Sequence, residues 1–365
     1  MKVSDICKII EAFAPAAYQE SYDNARLICG NPQEEVRGVL ITLDCTESVV
    51  EEAIEKGCNL VIAHHPIVFK GLKSLTGANY VERVVIKAIQ KGIAIYAVHT
   101  NLDNVYYGVS HSLAARLGLQ NIRILQPKTH TLEKLVVFCP LSHSAQVREA
   151  LHAAGAGQIG NYKNCSFRTK GLGTFQPNEQ ANPFIGQAGG GLEEVEEERI
   201  EVIYPAHLQT QILTAMRMAH PYEEVAYYVH RLENYNQEVG SGAIGELNEA
   251  FSPTDFLQYV KNKLPVHVIR YTQTHKSHIR RVAVCGGSGA FLIHTARRQG
   301  ADAYITADVK YHEFFDAEGE MMILDIGHYE SEVHTKELIH AYLSSKIRNI
   351  ALCISEISTN PINYF

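Results

Sequence analysis

The amino-acid sequence predicts an α/β protein that carries an inserted ferredoxin-like domain. Strand and helix patterns alternate over residues 1–128, and the same alternation returns over residues 239–365. Such alternation is typical of parallel strands joined by helical crossovers. Between the two stretches, residues 129–238 carry the order β-α-β-β-α-β, which is the ferredoxin-like pattern. We therefore expect two halves of one α/β domain, separated by a second, smaller domain.

The first half begins with an amphipathic helix and continues as alternating strands and helices. Apolar residues lie near helical spacing from Val3 to Phe13, with Ser4 as the expected N-cap and Pro15 as the stop. Thr46 is expected to cap the second helix. Strands are expected at residues 36–44, 60–63 and 93–98, with helices between them at 46–57 and 80–92.

The inserted domain and the second half follow in the same way. In the insert, strands are expected at 134–140, 165–175, 199–205 and 226–232, and helices at 143–155 and 206–220. A loop rich in Gly, Asn and Pro separates the second and third of these strands. In the second half, strands are expected at 280–285, 303–306, 321–326 and 351–357, with helical stretches near 294–300 and 330–343.

Composition narrows the class of protein. The 365 residues include 33 basic and 40 acidic side chains, and a net charge of -7 argues against a general nucleic-acid binder. No segment resembles a signal peptide or a membrane span, so we expect a soluble, cytoplasmic protein. The 8 cysteines form no CxxC pair, which favours free thiols over disulfides or a cysteine zinc site. The 18 histidines raise the expectation of a metal or proton-transfer site.

Polar side chains follow three of the predicted strands. In open parallel sheets, ligands bind beyond the carboxyl ends of the strands. Imidazole and carboxylate groups together suit zinc, manganese or iron. The residues at these three strand ends that could bind metal are His64 and His65, then Asp103, and then His328 and Glu332.

Each of these pieces has an ordinary explanation when taken alone. His64 and His65 could be solvated loop residues, and Asp103 could cap a helix or a turn. His328 and Glu332 could form a surface pair, since residues four apart share a helix face. Their common position at strand ends favours a metal site.

The number of candidate ligands predicts two ions. Three imidazoles and two carboxylates are too many for one tetrahedral zinc that keeps an open position. The set suits two ions about 3.5–4 Å apart, bridged by a carboxylate and a water or hydroxide. Such a centre lowers the pKa of the bridging water and can bind phosphoryl or carbonyl oxygens. Hydrolysis is therefore the expected reaction class.

At these residues the sequence resembles a known family. The segments SYDNARLICGNP, AHHPIVFKGL, HTNLD, ADVKYHEFFDA and GHYESE resemble, in order, the motifs of the NIF-three-like dinuclear-metal family, whose members are known as type 2 homologues of GTP cyclohydrolase I. The resemblance covers essentially the whole chain. Within the insert, GTFQPNEQANPFIG and HPYEEVAYYVHRLEN look like the longer bacterial members, which carry a PII/CutA-like domain.

The resemblance implies a site, an assembly and an activity. It implies that His64 and His328 bind one ion, that His65 and Asp103 bind the other, and that Glu332 bridges both. It implies a toroidal homohexamer whose metal sites face an internal cavity. The implied activity is conversion of GTP to a dihydroneopterin triphosphate, with a small-molecule, nucleotide-like substrate.

Two positions depart from the family pattern. Arg26 stands where a glycine is usual, which could alter a substrate contact or simply face solvent. Ala307 replaces the glycine expected before Asp308. Neither position is a predicted ligand, so these departures bear on the substrate rather than on metal binding.

Other residues have open alternatives. His99 and His312 are candidates for supporting the ligands or moving protons, or are histidines satisfied by backbone groups. The segment 285–290 could hold a phosphate on its amides or form a tight strand-to-helix turn. The segment 220–224 is a small-molecule or subunit contact, or a helix terminator.

Two functions from different classes follow. The first is a metal-dependent hydrolase of a nucleotide-like substrate, nominally a GTP cyclohydrolase. The alternative is a non-catalytic hexameric scaffold that binds metal or regulates, with the insert as a sensor or a lid.

Overall fold

The computed structural model describes residues 1–365 and contains eleven α-helices, four 3-10 helices and fifteen strands. The helices are α1 (Val3–Phe13), α2 (Glu47–Glu55), α3 (Tyr80–Gln90), α4 (Thr100–Asp103), α5 (Val109–Arg116), α6 (Ser144–Ala153), α7 (Gln209–Ala219), α8 (Pro253–Lys263), α9 (Ile293–Arg298), α10 (His328–Glu332) and α11 (Thr335–Lys346). The strands are β1 (Leu27–Cys29), β2 (Gly38–Thr42), β3 (Leu60–Ala63), β4 (Ala94–Ala97), β5 (Gln120–Lys128), β6 (Leu132–Pro140), β7 (Phe167–Phe175), β8 (Glu193–Pro205), β9 (Tyr227–Arg231), β10 (Asn236–Phe251), β11 (Arg270–Tyr271), β12 (Ile279–Ser288), β13 (Ala303–Ala307), β14 (Met322–Asp325) and β15 (Ala351–Ile354).

The chain divides into two units, each with its own core. The first unit joins Met1–Pro127 to Gln237–Phe365, and the second is Lys128–Asn236. The second unit begins one residue before the expected start at 129 and ends two residues before the expected end at 238. Because the first unit is made from both ends of the chain, the second interrupts it as an insertion.

The first sheet of the larger unit has the order β1-β4-β3-β2-β15. Its four strands from β4 to β15 are parallel, and β1 is antiparallel to β4. Every residue of β2, β3 and β4 is buried, as expected for a sheet with helices on both faces. Alternate residues of β2 and β3 pack against α1 and α11 on one face and against α2 and α3 on the other.

Local signals explain where the helices of this sheet begin and end. Thr46 accepts a hydrogen bond from the Val49 amide at the start of α2, which confirms the expected cap. Gly92 follows α3 with a φ of 63°, a conformation that favours glycine. The first helix differs from the prediction, because α1 begins at Val3 after Lys2, so that Ser4 lies inside its first turn instead of capping it.

The second sheet has the order β11-β14-β13-β12-β10-β5. Its central strands β12, β13 and β14 are parallel, while β10 and β11 pair with them antiparallel. Helices α5 and α8 pack on one face, and α9 packs on the other.

The two sheets do not correspond to the two sequence halves. The last strand, β15, leaves the second half and pairs with β2 in the first sheet, and α11 packs on that same sheet. Conversely, β5 comes from the first half and lies at the edge of the second sheet. The apolar pattern of a short buried strand predicts the strand itself but does not identify its neighbour.

The inserted unit is a four-stranded antiparallel sheet of order β7-β8-β6-β9 with two helices. In chain order its elements are β6, α6, β7, β8, α7 and β9, which is the ferredoxin-like arrangement that the sequence predicts. Residues from α6 and α7, including Leu151 and Met216, pack against Val137 and Ile200 on one face of the sheet.

None of the helices combines the length and the apolar character that a membrane crossing requires.

Candidate metal centre

The predicted ligands lie at the carboxyl ends of strands from both sheets of the larger unit. His64 and His65 directly follow β3, and Asp103 ends α4, which follows β4. His328 and Glu332 are the first and last residues of α10, which follows β14. Their common position at strand ends predicts a single edge of one sheet. The ends of two sheets meet instead, because β14 pairs with β13 and β11 rather than with β3.

One carboxylate oxygen of Glu332 faces three imidazoles. Its Oε2 atom lies 3.0 Å from His65 Nε2, 3.1 Å from His328 Nε2 and 3.9 Å from His64 Nε2. The Nε2 atoms of His65 and His328 are themselves 3.3 Å apart. The Glu332 side chain is only 3% exposed, so this arrangement is sheltered from bulk water.

His64 and Asp103 form the other side of the cluster. His64 Nδ1 lies 2.8 Å from the Val98 carbonyl oxygen, which can only accept, so Nδ1 carries the proton and Nε2 presents a lone pair. That Nε2 atom lies 3.7 Å from Asp103 Oδ1. Both atoms are buried without a hydrogen-bond partner. Since unpaired buried polar atoms are costly, a bound cation is the group that best fits the space between them.

The potential ligand atoms fall into overlapping groups within 4.8 Å of one another. One group is His65, His328 and Glu332, and another is His64, Asp103 and Glu332. Glu332 is common to both, as a bridging ligand would be. The grouping differs from the one implied by the family resemblance, in which His65 goes with Asp103 and His64 with His328.

The Nδ1 atom of each of these three imidazoles contacts an oxygen atom on the side away from the cluster. His65 Nδ1 lies 2.8 Å from Asp44 Oδ1, and His328 Nδ1 lies 2.6 Å from Asp308 Oδ2. Carboxylate support of this kind fixes the ring and the tautomer of metal-binding histidines. The Nε2 atoms are therefore oriented toward the cluster before any ligand arrives.

His99 completes the wall of the cluster. Its Nδ1 lies 2.8 Å from Asp23 Oδ1, while the other Asp23 oxygen accepts from the Thr100 amide at 3.1 Å and the Thr100 hydroxyl at 2.5 Å. His99 forms a further group within 4.8 Å with His64 and His65. Of the two candidate helper histidines, this one lies at the site.

The ionisable groups of the cluster shift one another's pKa values. Burial opposes ionisation, yet hydrogen bonds with Asp44 and Glu332 raise the pKa of His65 to about 10. In the same way Glu332 and Asp308 raise the pKa of His328 to about 9 against the effect of burial. Burial also disfavours the Glu332 carboxylate, but the surrounding imidazoles hold its pKa well below the usual value.

Burial has the opposite effect on Asp103. It raises the pKa of Asp103 above its usual value, although His64 acts to lower it. A carboxylate in this environment gains more than an exposed one from a nearby cation.

Backbone conformation makes room for the ligands. Gly287 has a φ of 62°, and a Cβ atom there would overlap the Glu332 carboxylate. Gly287 belongs to the segment 285–290, which packs tightly: Tyr304 donates to the Gly289 carbonyl at 2.7 Å. The tight-turn interpretation of this segment therefore fits the structure. Asp308 has a φ of 56°, unusual for a residue other than glycine, directly after β13.

The remaining predicted residues lie elsewhere. His312 is exposed in a short 3-10 turn, where its ring stacks on Phe315 at 6.3 Å, and it is in none of the ligand groups. Arg26 is exposed, and Ala307 is fully buried at the end of β13. His220 bonds to the Phe138 carbonyl at 2.8 Å after the last residue of α7.

The sequence does not single out the three supporting carboxylates. Asp44 lies two residues beyond β2 and Asp308 directly follows β13, so both carry the same strand-end signal as His64. Asp23 lies in a loop 76 residues before His99, and no local pattern connects the two.

Comparison with known proteins identifies the family of this chain. The Duf34/NIF3 (NGG1p interacting factor 3) family matches residues 1–361. The chain is 39% identical to a Bacillus subtilis protein named GTP cyclohydrolase 1 type 2 homolog, over 98% of this chain and 97% of the relative. A protein of the same name from Halalkalibacterium halodurans is 40% identical over 100% of both chains. The crystal structure of a Bacillus cereus protein related to NIF3 is 40% identical, with a TM-score of 0.87 over 100% of this chain and 99% of that one.

Proposed function

Since the chain belongs to the Duf34/NIF3 family, we propose that it is a dinuclear divalent-metal protein. His65 and His328 would bind one ion, His64 and Asp103 the other, and Glu332 both. The observation that carries the proposal is the pair of buried, unpartnered ligand atoms, His64 Nε2 and Asp103 Oδ1, beside a carboxylate shared by two ligand groups. Three imidazoles with two carboxylates suit zinc, manganese or iron.

We further propose that the centre hydrolyses a nucleotide-like substrate, nominally GTP, as the name of the relatives suggests. A pair of divalent ions supplies Lewis acidity and an activated water. The chain itself supplies a proton acceptor at His99, whose Nδ1 donates to Asp23 and leaves Nε2 facing the cluster. The Asp23 carboxylate, fixed by Thr100, stabilises the protonated ring that forms when His99 accepts a proton.

The test is turnover by the metal-loaded chain. Protein loaded with zinc, manganese or iron is given GTP, and formate and pterin products are followed. We expect turnover that Glu332→Gln abolishes, while Glu337→Gln, an exposed substitution outside the cluster, retains it. Absence of both products with every metal refutes the GTP reaction. The proposal of a dinuclear metal centre is tested separately, by the number of ions bound per chain.

His99→Asn separates proton transfer from metal binding. If His99 accepts the proton, the variant keeps its ions and loses turnover by roughly 100-fold or more. Loss of an ion in this variant would make His99 a ligand instead.

A second candidate is a non-catalytic metal-binding or regulatory scaffold in which the insert is a sensor or lid. The separate core of Lys128–Asn236 favours it, because none of the candidate ligands comes from that unit. This candidate predicts that the chain binds both ions and turns over neither GTP nor other phosphate esters.

We also propose a homohexamer, as the family resemblance implies. Light scattering should then give a mass about six times the 40.6 kDa of the chain. A monomer or dimer at micromolar concentration contradicts this assembly.

A further inference from the structure

The inserted unit contains a cavity of about 570 Å³ that has no part in the metal centre. This volume lies within the range of small-molecule sites. The cavity is bounded by β7, by the loop between β7 and β8, and by the turn before β9. Phe138 and Arg199, which pair across β6 and β8, place it on the sheet face opposite to α6 and α7.

Aromatic rings form much of the cavity wall. Phe138 and Tyr228 meet edge to face at 5.7 Å, and Phe175 and Tyr222 do so at 5.8 Å. Phe184, from the loop between β7 and β8, lies 6.3 Å from Tyr222. Such walls suit a flat, apolar body, because aromatic faces stack on other π-systems and attract cations.

A buried carboxylate lies among these rings. Glu197 is 9% exposed, and no lysine, arginine or histidine forms an ion pair with it. The two nearby arginines are engaged elsewhere, since Arg199 contacts Glu201 at 2.7 Å and Arg168 contacts Glu198 at 3.1 Å. A buried charge without a counter-ion is costly, so a cationic ligand would stabilise it.

Gly173 and Tyr222 lie next to the Glu197 carboxylate. A Cβ atom at Gly173 would overlap its carboxylate, so glycine is what gives the group its space. The Tyr222 hydroxyl is buried beside the Glu197 carboxylate. Burial, and after it the neighbouring Glu197 carboxylate, raises the pKa of Tyr222, which keeps the hydroxyl protonated as a donor.

His220 holds Tyr222 in place and is not itself available to a ligand. Its Nε2 donates to the Phe138 carbonyl at 2.8 Å, and its Nδ1 accepts from the Tyr222 amide at 3.1 Å. Both ring nitrogens are therefore used. His220 directly follows α7 and orients the next turn, so the helix-terminator role of segment 220–224 also positions Tyr222 at the cavity.

We propose that this cavity is a binding site for a small organic cation, an amine or amidine attached to a flat aromatic body. The charged nitrogen group bonds to the Glu197 carboxylate, and the apolar body lies against Phe138, Phe175 and Tyr222. The charges that line the cavity also favour a cationic ligand. Glu223 and Glu224 line it in addition to Glu197, whereas Lys170 is the one lining cation without an ion pair.

The probe for this site is benzamidine, with neutral benzamide of the same shape as its control. Binding to the full-length protein is measured by calorimetric titration up to about 10 mM, which saturates a site with a Kd of about 1 mM. We expect one benzamidine per chain and benzamide binding at least about tenfold weaker. Absence of saturable benzamidine binding, or equal binding of benzamide, overturns the proposal.

Variants locate the site. Glu197→Gln keeps the shape but removes the charge, and should weaken benzamidine binding at least about tenfold. Its control is Glu196→Gln, the exposed neighbour on the same strand and outside the cavity, which should bind as the wild type does. Gly173→Ala fills the space beside Glu197 and should also abolish binding. Unchanged affinity in both Glu197→Gln and Gly173→Ala, with thermal melting showing folded protein, overturns the proposal whatever the metal centre does.

Discussion

At the scale of single residues, Gly287 controls how closely Glu332 can approach the imidazoles. Gly287→Ala places a Cβ atom against the Glu332 carboxylate, in addition to the cost of a left-handed alanine, roughly 1–2 kcal/mol. We expect the variant to lose metal affinity at least about tenfold, because the shared ligand moves. Titration of the metal-free protein measures this.

The control for Gly287→Ala is Gly300→Ala. Gly300 has a φ of 74°, and a Cβ atom added there would meet no other atom within 4 Å, so the substitution carries the same backbone cost without the overlap. Equal metal affinities in the two variants would show that the space beside Glu332 is unimportant.

Residue identity alone indicates the proposed ligands but not the carboxylates that support them. His64 and His65 are visible in the sequence because they directly follow an apolar strand, and His328 and Glu332 because they share a short helix just after another. The pairing of His65 with His328 is not visible, since it depends on how two sheets meet and on the orientation that Asp44 imposes. Local sequence contains neither of these facts.

At the scale of elements, the segment after β15 supports the site from the far end of the chain. Thr359 donates its hydroxyl to Asp44 Oδ2 at 2.6 Å, and Asp44 holds His65. Thr359→Val removes this bond at nearly constant volume. We expect the substitution to lower the affinity for the ion at His65 by about 10- to 100-fold, which competition with a chelating dye measures.

Serine at the same position tests the explanation. Thr359→Ser keeps the hydroxyl and should bind metal as the wild type does. If the serine and valine variants are equally weak, the methyl group rather than the hydrogen bond is responsible.

The loop before α3 is tied to its helix by Glu82. The carboxylate accepts from the Thr76 amide at 2.8 Å, from the Thr76 hydroxyl at 2.9 Å and from the Ala78 amide at 3.1 Å. These bonds, first of all the one from the Thr76 amide, lower the pKa of Glu82 to about 2. Its stabilisation is therefore complete above the unfolded pKa of 4.5 and is lost as the pH falls toward 2.

Glu82→Gln should reveal this pH dependence. The difference in unfolding free energy between wild type and variant should be largest at neutral pH and should shrink below about pH 4.5 in denaturant titrations. Glu55→Gln, an exposed change on α2, should show no such trend. A Glu82→Gln difference that is constant with pH contradicts the account of this loop.

The sequence predicts helix caps and buried strands well, because local signals determine them. It predicts strand pairing poorly, because pairing depends on distant partners. The cap at Thr46 and the buried run of β3 are visible locally. The pairing of β15 with β2 is not, because a four-residue apolar strand fits any buried parallel neighbour.

For the fold as a whole, both parts of the chain that flank the insert build the larger unit, and the proposed metal ligands come from both. His64, His65 and Asp103 precede the insert, whereas His328 and Glu332 follow it. We propose that these five residues bind two divalent ions that share Glu332.

Metal analysis of the purified chain, together with three variants, tests that claim most directly. The wild type should contain two divalent ions per chain. His328→Asn and Asp103→Asn should each lose one, and Glu332→Gln should lose both while remaining folded by circular dichroism. A wild type that retains fewer than one ion per chain after incubation with zinc, manganese or iron, or a Glu332→Gln variant that keeps both, would contradict the account.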